Sequence, residues 1–200
     1  VVSGVGKNLH IAEKMSAIFS STGTRSIVLN PVQAMHGDLG MVSAKDVLIA
    51  LSFSGESAEV NNLIPAIRRH GLKVISMTGR PDSTLAQMSD IFILCGHYEG
   101  VDQRVLDRIV DEEISIGDYV VSGGELPALV LIDCIVRPLD GVLSQPDCYE
   151  DESHFNGLLE YPQYTRPENW EGRDVPEILL NGNHANIERW RRKKQLERTR

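Results

Sequence analysis

The chain has 200 residues, of which 42% are hydrophobic and 24% charged, and its formal net charge is −8. That length suits one large α/β domain or two small ones, and its longest apolar run, LPALVLIDCIV, is too short to span a bilayer and contains Asp133. Cys95, Cys134 and Cys148 form no C-x-x-C spacing, which argues against a disulfide framework or a zinc site and for a reducing compartment. No signal peptide is visible, so a cytoplasmic location without membrane partners is expected. The first residues already read as a strand, so a preceding segment is expected too.

Charge is uneven along the chain. Residues 1–94 carry a net +1 and residues 95–200 a net −9, yet the last twelve, RWRRKKQLERTR, hold seven basic groups and one acid. A solvated terminal helix and a contact to a phosphate backbone both account for that tail.

The opening VVSGVGKNLHIAEKMSAIFSSTG reads as a strand, a glycine-rich turn and a helix, with Ile11, Met15, Ile18 and Phe19 at helical spacing and Gly23 as a stop. Such a turn aims free backbone N–H groups and a positive helix end at an anion, and Lys7 lies in it. The remaining glycines of a Walker or dinucleotide loop are absent, so a plain structural turn explains GxGK as well. RSIVLN predicts a second strand. DVLIALSFSGESAEVNNLIPAIRRHG predicts a third strand, a hydroxyl-rich turn and an amphipathic helix, with Ser52, Ser54 and Ser57 around Gly55 where that helix begins. Those hydroxyls can cap the helix or hold a phosphate. KVISMTG predicts a fourth strand, PDSTLAQMS a short helix and DIFIL a fifth strand. Alternating strands and helices imply a parallel, doubly wound sheet with ligands outside the carboxyl ends of its strands.

From Cys95 the pattern changes. CGHYEG predicts a turn, VDQRVLDRIVDEE an amphipathic helix, and ISIGDYVVSGGELPALVLIDCIVR a strand, a glycine loop and a helix with Pro127 in its first turn. Gly123 and Gly124 permit close backbone approach to a flat ligand. YPQYTRPENWEG predicts an extended linker. The acidic run YEDES reads on its own as a solvated loop.

The first half resembles a known family. VVSGVGK, SSTGT, HGDLGM, LSFSGESAEV and TGRPDSTLA together look like the sugar isomerase (SIS) domain of arabinose 5-phosphate isomerases over residues 1–94. The resemblance implies phosphate binding by Ser52, Ser54 and Ser57, and roles at the sugar for Lys7, His36 and Glu59. A carboxylate such as Glu59 suits proton transfer next to a carbonyl, whereas His36 reads equally as a satisfied turn histidine. The family's Gly-Lys-Ser-Gly-His stands here as GKNLH, which puts Leu9 where a small residue would admit phosphate. Its continuation past the fifth strand, with further catalytic residues, is absent.

The second half resembles another. CGHYEGVDQRV, DEEISIGDYVVSGGELPALVLID, GLLEYPQYTRP and VPEILLNGNHANIERWR look like the bacterial tRNA (guanine-N1)-methyltransferase, a SPOUT-fold enzyme, over residues 95–200. The resemblance implies S-adenosyl-L-methionine, with no prosthetic group or metal, lying against Gly96 and the backbone of Ile116, Gly117, Asp118, Tyr119, Val120 and Val121. It implies catalytic roles for Arg137 and for a carboxylate at Glu152 or its neighbour Asp151, acting across a homodimer, with tRNA as partner. The family's amino-terminal strands are absent, and only the first helix of its tRNA-gripping domain is present, in residues 183–200.

The two resemblances meet inside DIFIL. The expected fold is therefore α/β, a parallel doubly wound sheet that is SIS-like (flavodoxin-like) in residues 1–94. It continues into a SPOUT-like segment over 95–160, a linker over 161–182 and the start of a helical domain over 183–200. SPOUT enzymes are knotted, and threading here depends on the replaced half. TGRPD falls where the first cofactor loop would lie. Three readings follow: a methyltransferase-like hybrid, a sugar-phosphate isomerase or sensor, and a non-catalytic chimaera.

Overall fold

Four short strands run parallel and in chain order: β1 (Val2–Gly4), β2 (Val47–Leu51), β3 (Lys73–Thr78) and β4 (Ile91–Leu94). The register pairs Val2 with Ile49, Leu51 with Met77 and Ile75 with Ile91. The computed structural model describes every residue except 98, 140, 141 and 143–146, with residues 147 and 148 as backbone alone, so the Cys148 side chain and Tyr98 lie outside the described residues. The chain divides into two units, residues 1–142 and 143–200.

In the first unit the sheet is covered on both faces. Helices α1 (Lys7–Ser21), α2 (Pro31–Ala34), α3 (Ala58–Arg69), α4 (Thr84–Gln87), α5 (Gln103–Ile109) and α6 (Glu125–Val136) follow the strands. Alternation along β2 sends Leu48 and Ala50 to one side, where Val60, Leu63, Ile64 and Ile67 of α3 recur at helical spacing and are fully buried. Leu51 and Met77 face the other side, against Ala12 and Met15 of α1 and Ala128 of α6. Each fully buried aliphatic side chain contributes about 1.5–3 kcal/mol of transfer free energy. A helix from beyond Cys95 thus completes a layer begun by the first helix of the chain.

RSIVLN does not become a full strand. Only Val28 bridges to Val2, with Val2 N–H donating to Ile27 O and Leu29 N–H to Val2 O. The next residue, Asn30, already caps α2 by accepting from Val32 and Gln33 N–H, and Pro31 follows as its first residue. The cap ends the strand before it can lengthen.

Two expectations after Cys95 are corrected. The helix predicted over 101–113 is only the seven-residue α5, capped by Asp102 and with no fully buried residue. Asp111, Glu112 and Glu113 would add three negative charges at a helix C-terminus, where the backbone dipole is already negative. The strand predicted in ISIGDY does not form. Ser115 Oγ instead accepts from Gly117 N–H, the Tyr119 hydroxyl donates to Ile116 O, and Val120 is 91% exposed. An extended segment needs a neighbouring strand for its amides, and among the described residues none pairs with it.

The second unit carries α7 (Asp147–Glu150), a hairpin of β5 (Asn169–Trp170) and β6 (Arg173–Asp174), and α8 (His184–Thr199), capped by Asn183. YPQYTRP is extended, as its prolines require, but it is anchored. Tyr161 is buried beneath the Arg191 guanidinium, 4.7 Å from its ring, and Arg198 donates to Glu160 O at 2.9 Å. Leu159 N–H donates to Thr199 Oγ1. Aromatic and arginine pairs hold this stretch to the basic helix.

Candidate functional site

In the first unit three turns gather at the carboxyl ends of the strands. After β2, Ser52 N–H donates to Met77 O, and Gly55 N–H donates to Ser52 Oγ at 3.1 Å. The Ser52 and Ser57 hydroxyls lie 2.8 Å apart, and Ser54 Oγ accepts from Glu56 N–H. Gly55 has φ 65°, and a Cβ there would lie 2.1 Å from Ser83 Oγ, so the turn requires glycine. The Glu56 carboxylate accepts from Thr84 N–H, which holds its carboxyl below the usual range.

The structure brings Ser52, Ser54 and Ser57 into this one turn. Lys7 opens α1 at the end of the adjacent strand, Glu59 lies in the first turn of α3, and His36 follows α2; all three are exposed. Among the described residues no hydrogen bond or ion pair joins them to the serines.

The other two turns interlock with the first. Gly79 N–H donates to Phe53 O at 2.9 Å, and Cys95 N–H donates to Thr78 O at 2.7 Å. Gly124 N–H donates to Gly96 O at 2.8 Å, so close that a Cβ on Gly124 would lie 2.6 Å from Cys95 Cα. His97 Nε2 stands 3.1 Å from Glu125 Oε2, and the Phe53 ring meets His97 edge-on at 4.4 Å. Burial, reinforced by the Glu125 charge, pushes the Cys95 thiol up to about 12, so it is neutral at physiological pH. Phe53, His97 and Glu125 were not singled out from the sequence. Each directly follows a serine or glycine that was, and that adjacency was the available signal.

The space enclosed among these turns is about 20 Å³, lined by Asn8, Phe53, Cys95 and Glu125 among others. That is room for one water, not for a nucleoside. The segment Ile116–Val121, beside the Gly123–Gly124 turn, is open instead. The N–H groups of Asp118, Tyr119, Val120 and Val121 have no protein partner among the described residues, a donor set suited to the edge of an adenine. Gly96 is half-buried at the Gly124 junction.

Arg137 caps α6, its N–H donating to Asp133 O, and belongs to the first unit. Asp151 and Glu152 belong to the second, in the turn after α7; Asp151 is exposed and Glu152 half-buried, with Glu152 N–H donating to Tyr149 O. Among the described residues no three His, Cys, Asp or Glu side chains gather as a metal site, and no helix is long and apolar enough to cross a membrane.

An open parallel sheet with glycine turns and unpaired amides beyond its strand ends defines an α/β protein of the class that holds ligands at those ends. More narrowly, the chain belongs to the tRNA (Guanine-1)-methyltransferase TrmD family, whose model matches residues 36–200. That match begins well upstream of Cys95, inside the segment that resembles the isomerases. The tRNA (guanine-N(1)-)-methyltransferase of Ruminiclostridium cellulolyticum is 62% identical over 116 residues, covering 58% of this chain and 50% of the relative. That of Clostridioides difficile is 57% identical over 120 residues, covering 58% and 52%. The chain therefore spans about half the length of the curated relatives it matches. Among solved structures, an E. coli CFT073 protein captured as a ligand complex is 43% identical over 46% of this chain and 49% of its own, with a TM-score of 0.45. A Bacteroides fragilis protein described as a phosphosugar isomerase involved in capsule formation is 30% identical over 68% and 65%, with a TM-score of 0.48.

Proposed function

We propose that the chain is a hybrid with a tRNA (guanine-N1)-methyltransferase-like half that binds S-adenosyl-L-methionine at Gly96 and Ile116–Val121. The observation that carries this reading is the loop itself: four consecutive unpaired amides, Asp118 to Val121, beside a glycine pair pressed onto Gly96, in a chain of this family. We assign residues 1–94 to the SIS-like segment, 95–160 to the methyltransferase-like segment, 161–182 to the connection and 183–200 to the start of a tRNA-binding helical region.

The donor's sulfonium supplies an electrophilic methyl group. The chain's own residues do the rest. Guanine N1 gives up its proton to the carboxylate of Glu152 or Asp151, while the Arg137 guanidinium offsets charge developing on the purine oxygen. As in the family, the acidic loop serves the partner's site, so the working form is a homodimer, in the cytoplasm where tRNA is found. Leu126 and Val130, one turn apart on α6 and 43% and 46% exposed, support a protomer that is covered in use. Heat unfolding with and without S-adenosyl-L-methionine tests the reading: a rise in Tm is expected, and no shift at millimolar ligand would overturn it.

A second reading is favoured by the serine turn. Ser52, Ser54 and Ser57 stand with the N-terminus of the twelve-residue α3, a geometry that also holds a sugar phosphate with Lys7, His36 and Glu59 around the sugar. Arabinose 5-phosphate is then expected to protect the turn from hydrogen exchange. A cooperatively folded chain that binds neither ligand would be a non-catalytic chimaera.

A further inference from the structure

Within the second unit lies a cavity of about 580 Å³ that none of these assignments uses. Its size falls in the range of small-molecule sites, about 300–1,000 Å³. Leu179, Leu180 and Ile187 give it an apolar side, and Tyr161, Tyr164 and Trp190 give it aromatic rings. Tyr164 is 47% exposed, with its ring centroid 6.3 Å from that of Trp190 and tilted by 53°, so the two rings do not close face to face on each other. One face is left for a planar guest.

Charge decides what kind of guest. The wall includes Arg166 and Arg191, and α8 continues with Arg189, Arg192 and Lys193. Arg191 pairs with Glu188 and Lys193 with Glu197, but among the described residues no carboxylate lies within ion-pair distance of Arg166, Arg189 or Arg192. Arg189 and Arg192 bond only to the neutral side chains of Asn186 and Gln195. The Arg191 Nε–H is buried without an acceptor while its guanidinium covers Tyr161. An aromatic-walled cavity that sets Arg166 and Arg191 against the carboxylate of Glu168, with no acid in ion-pair reach of Arg189 or Arg192 among the described residues, suits a planar ring joined to an anionic chain.

We infer that this cavity receives one unstacked nucleobase of an RNA strand, with Tyr164 as the stacking ring and Arg166 and Arg192 meeting the flanking phosphates. The inference rests on the tRNA reading for its partner, but on none of that reading's catalytic residues. Base stacking on aromatic side chains is sequence-tolerant, so Tyr164 supplies affinity and not identity.

The test uses the full chain with Trp170→Phe, which leaves Trp190 as the reporter. Titration with guanosine 5′-monophosphate and with a short single-stranded RNA is expected to quench Trp190. Tyr164→Ala should weaken the RNA by about tenfold, the value of one stacked base, and Tyr164→Phe should restore it. Quenching by inorganic phosphate alone, or equal binding by Tyr164→Ala, would overturn the inference, as would no quenching at millimolar nucleotide. The Tm shift with S-adenosyl-L-methionine is read on the same samples. A shift without quenching sinks the base pocket alone, and quenching without a shift sinks the donor site alone.

Discussion

The two candidate ligand turns of the first unit spend their hydrogen-bonding groups in opposite ways. In the serine turn the N–H groups of Gly55 and Glu56 are taken by Ser52 and Ser54, and the Ser52 and Ser57 hydroxyls bond each other. In Ile116–Val121, four consecutive amides are open to whatever arrives. A phosphate entering the first turn must displace internal bonds, whereas a ligand at the second only has to order an exposed loop. The contrast teaches that tight local geometry is evidence for a well-made turn before it is evidence for a site.

Several substitutions break or sharpen that contrast. The largest effect on function is expected from Glu152→Gln and Asp151→Asn, made separately: whichever carboxylate takes the N1 proton should cost about 10²–10⁴ in methyl transfer, measured with labelled donor and tRNA, while the other stays near the parent rate. The largest effect on the fold is expected from Gly124→Val, whose side chain would drive into the Cys95 backbone. About 1–3 kcal/mol or more should be lost in denaturant unfolding, together with any donor-induced Tm shift, because the open loop loses its hinge while the serine turn is untouched. Ser52→Ala removes an acceptor for Gly55 and a partner for Ser57, and should cost about 1–2 kcal/mol; if the serine turn serves the fold alone, donor binding will not change.

Two smaller effects read burial and an ion pair away from the turns. Cys134 is exposed and should react with a thiol reagent near neutral pH, while the buried Cys95, neutral until about pH 12, should react only on unfolding. Mass mapping of the labelled peptides decides it. Asp90 accepts from Val74 N–H and pairs with Arg68, which holds its carboxyl below the usual carboxylate range. A carboxyl lowered on folding contributes stability that is present above its unfolded value and is lost as pH falls through the folded one. Asp90→Asn should therefore lower stability at pH 7, with the difference from the parent closing as pH falls below about 4.

Much of this fold was legible before any coordinates. β2, β3 and β4 are apolar runs bounded by charged or turn residues, and α3 carries its buried face at regular spacing, so local pattern and burial agree. The failures share a cause. Val28 has strand residues around it but Asn30 and Pro31 end the run, and capping chemistry outweighs β propensity over so short a length. ISIGDY alternates correctly but meets no partner strand among the described residues, and pairing is a property of the sheet rather than of the segment. YPQYTRP reads as a linker because prolines exclude regular structure, yet Tyr161 and Arg191 anchor it through a contact between residues far apart in the chain. The tight turn at Gly123–Gly124 could be read from its glycines. The His97–Glu125 pair and the Phe53 contact could not, since they depend on separate turns, distant in the chain, arriving at one point.

The packing of α6 has a consequence for heredity. Ala128 completes the core that Ala12 and Met15 begin, and Gly124 leaves no space between its own backbone and that of Cys95. A cut placed just before Cys95 falls at the end of a single strand and leaves every later contact of that helix with its own turn intact. A cut a few residues downstream would part Gly96 from Gly124 and ask an unrelated turn to fit a gap with no tolerance. Recombination can therefore exchange the scaffold in front of the turn, but the turn and the helix travel as one cassette.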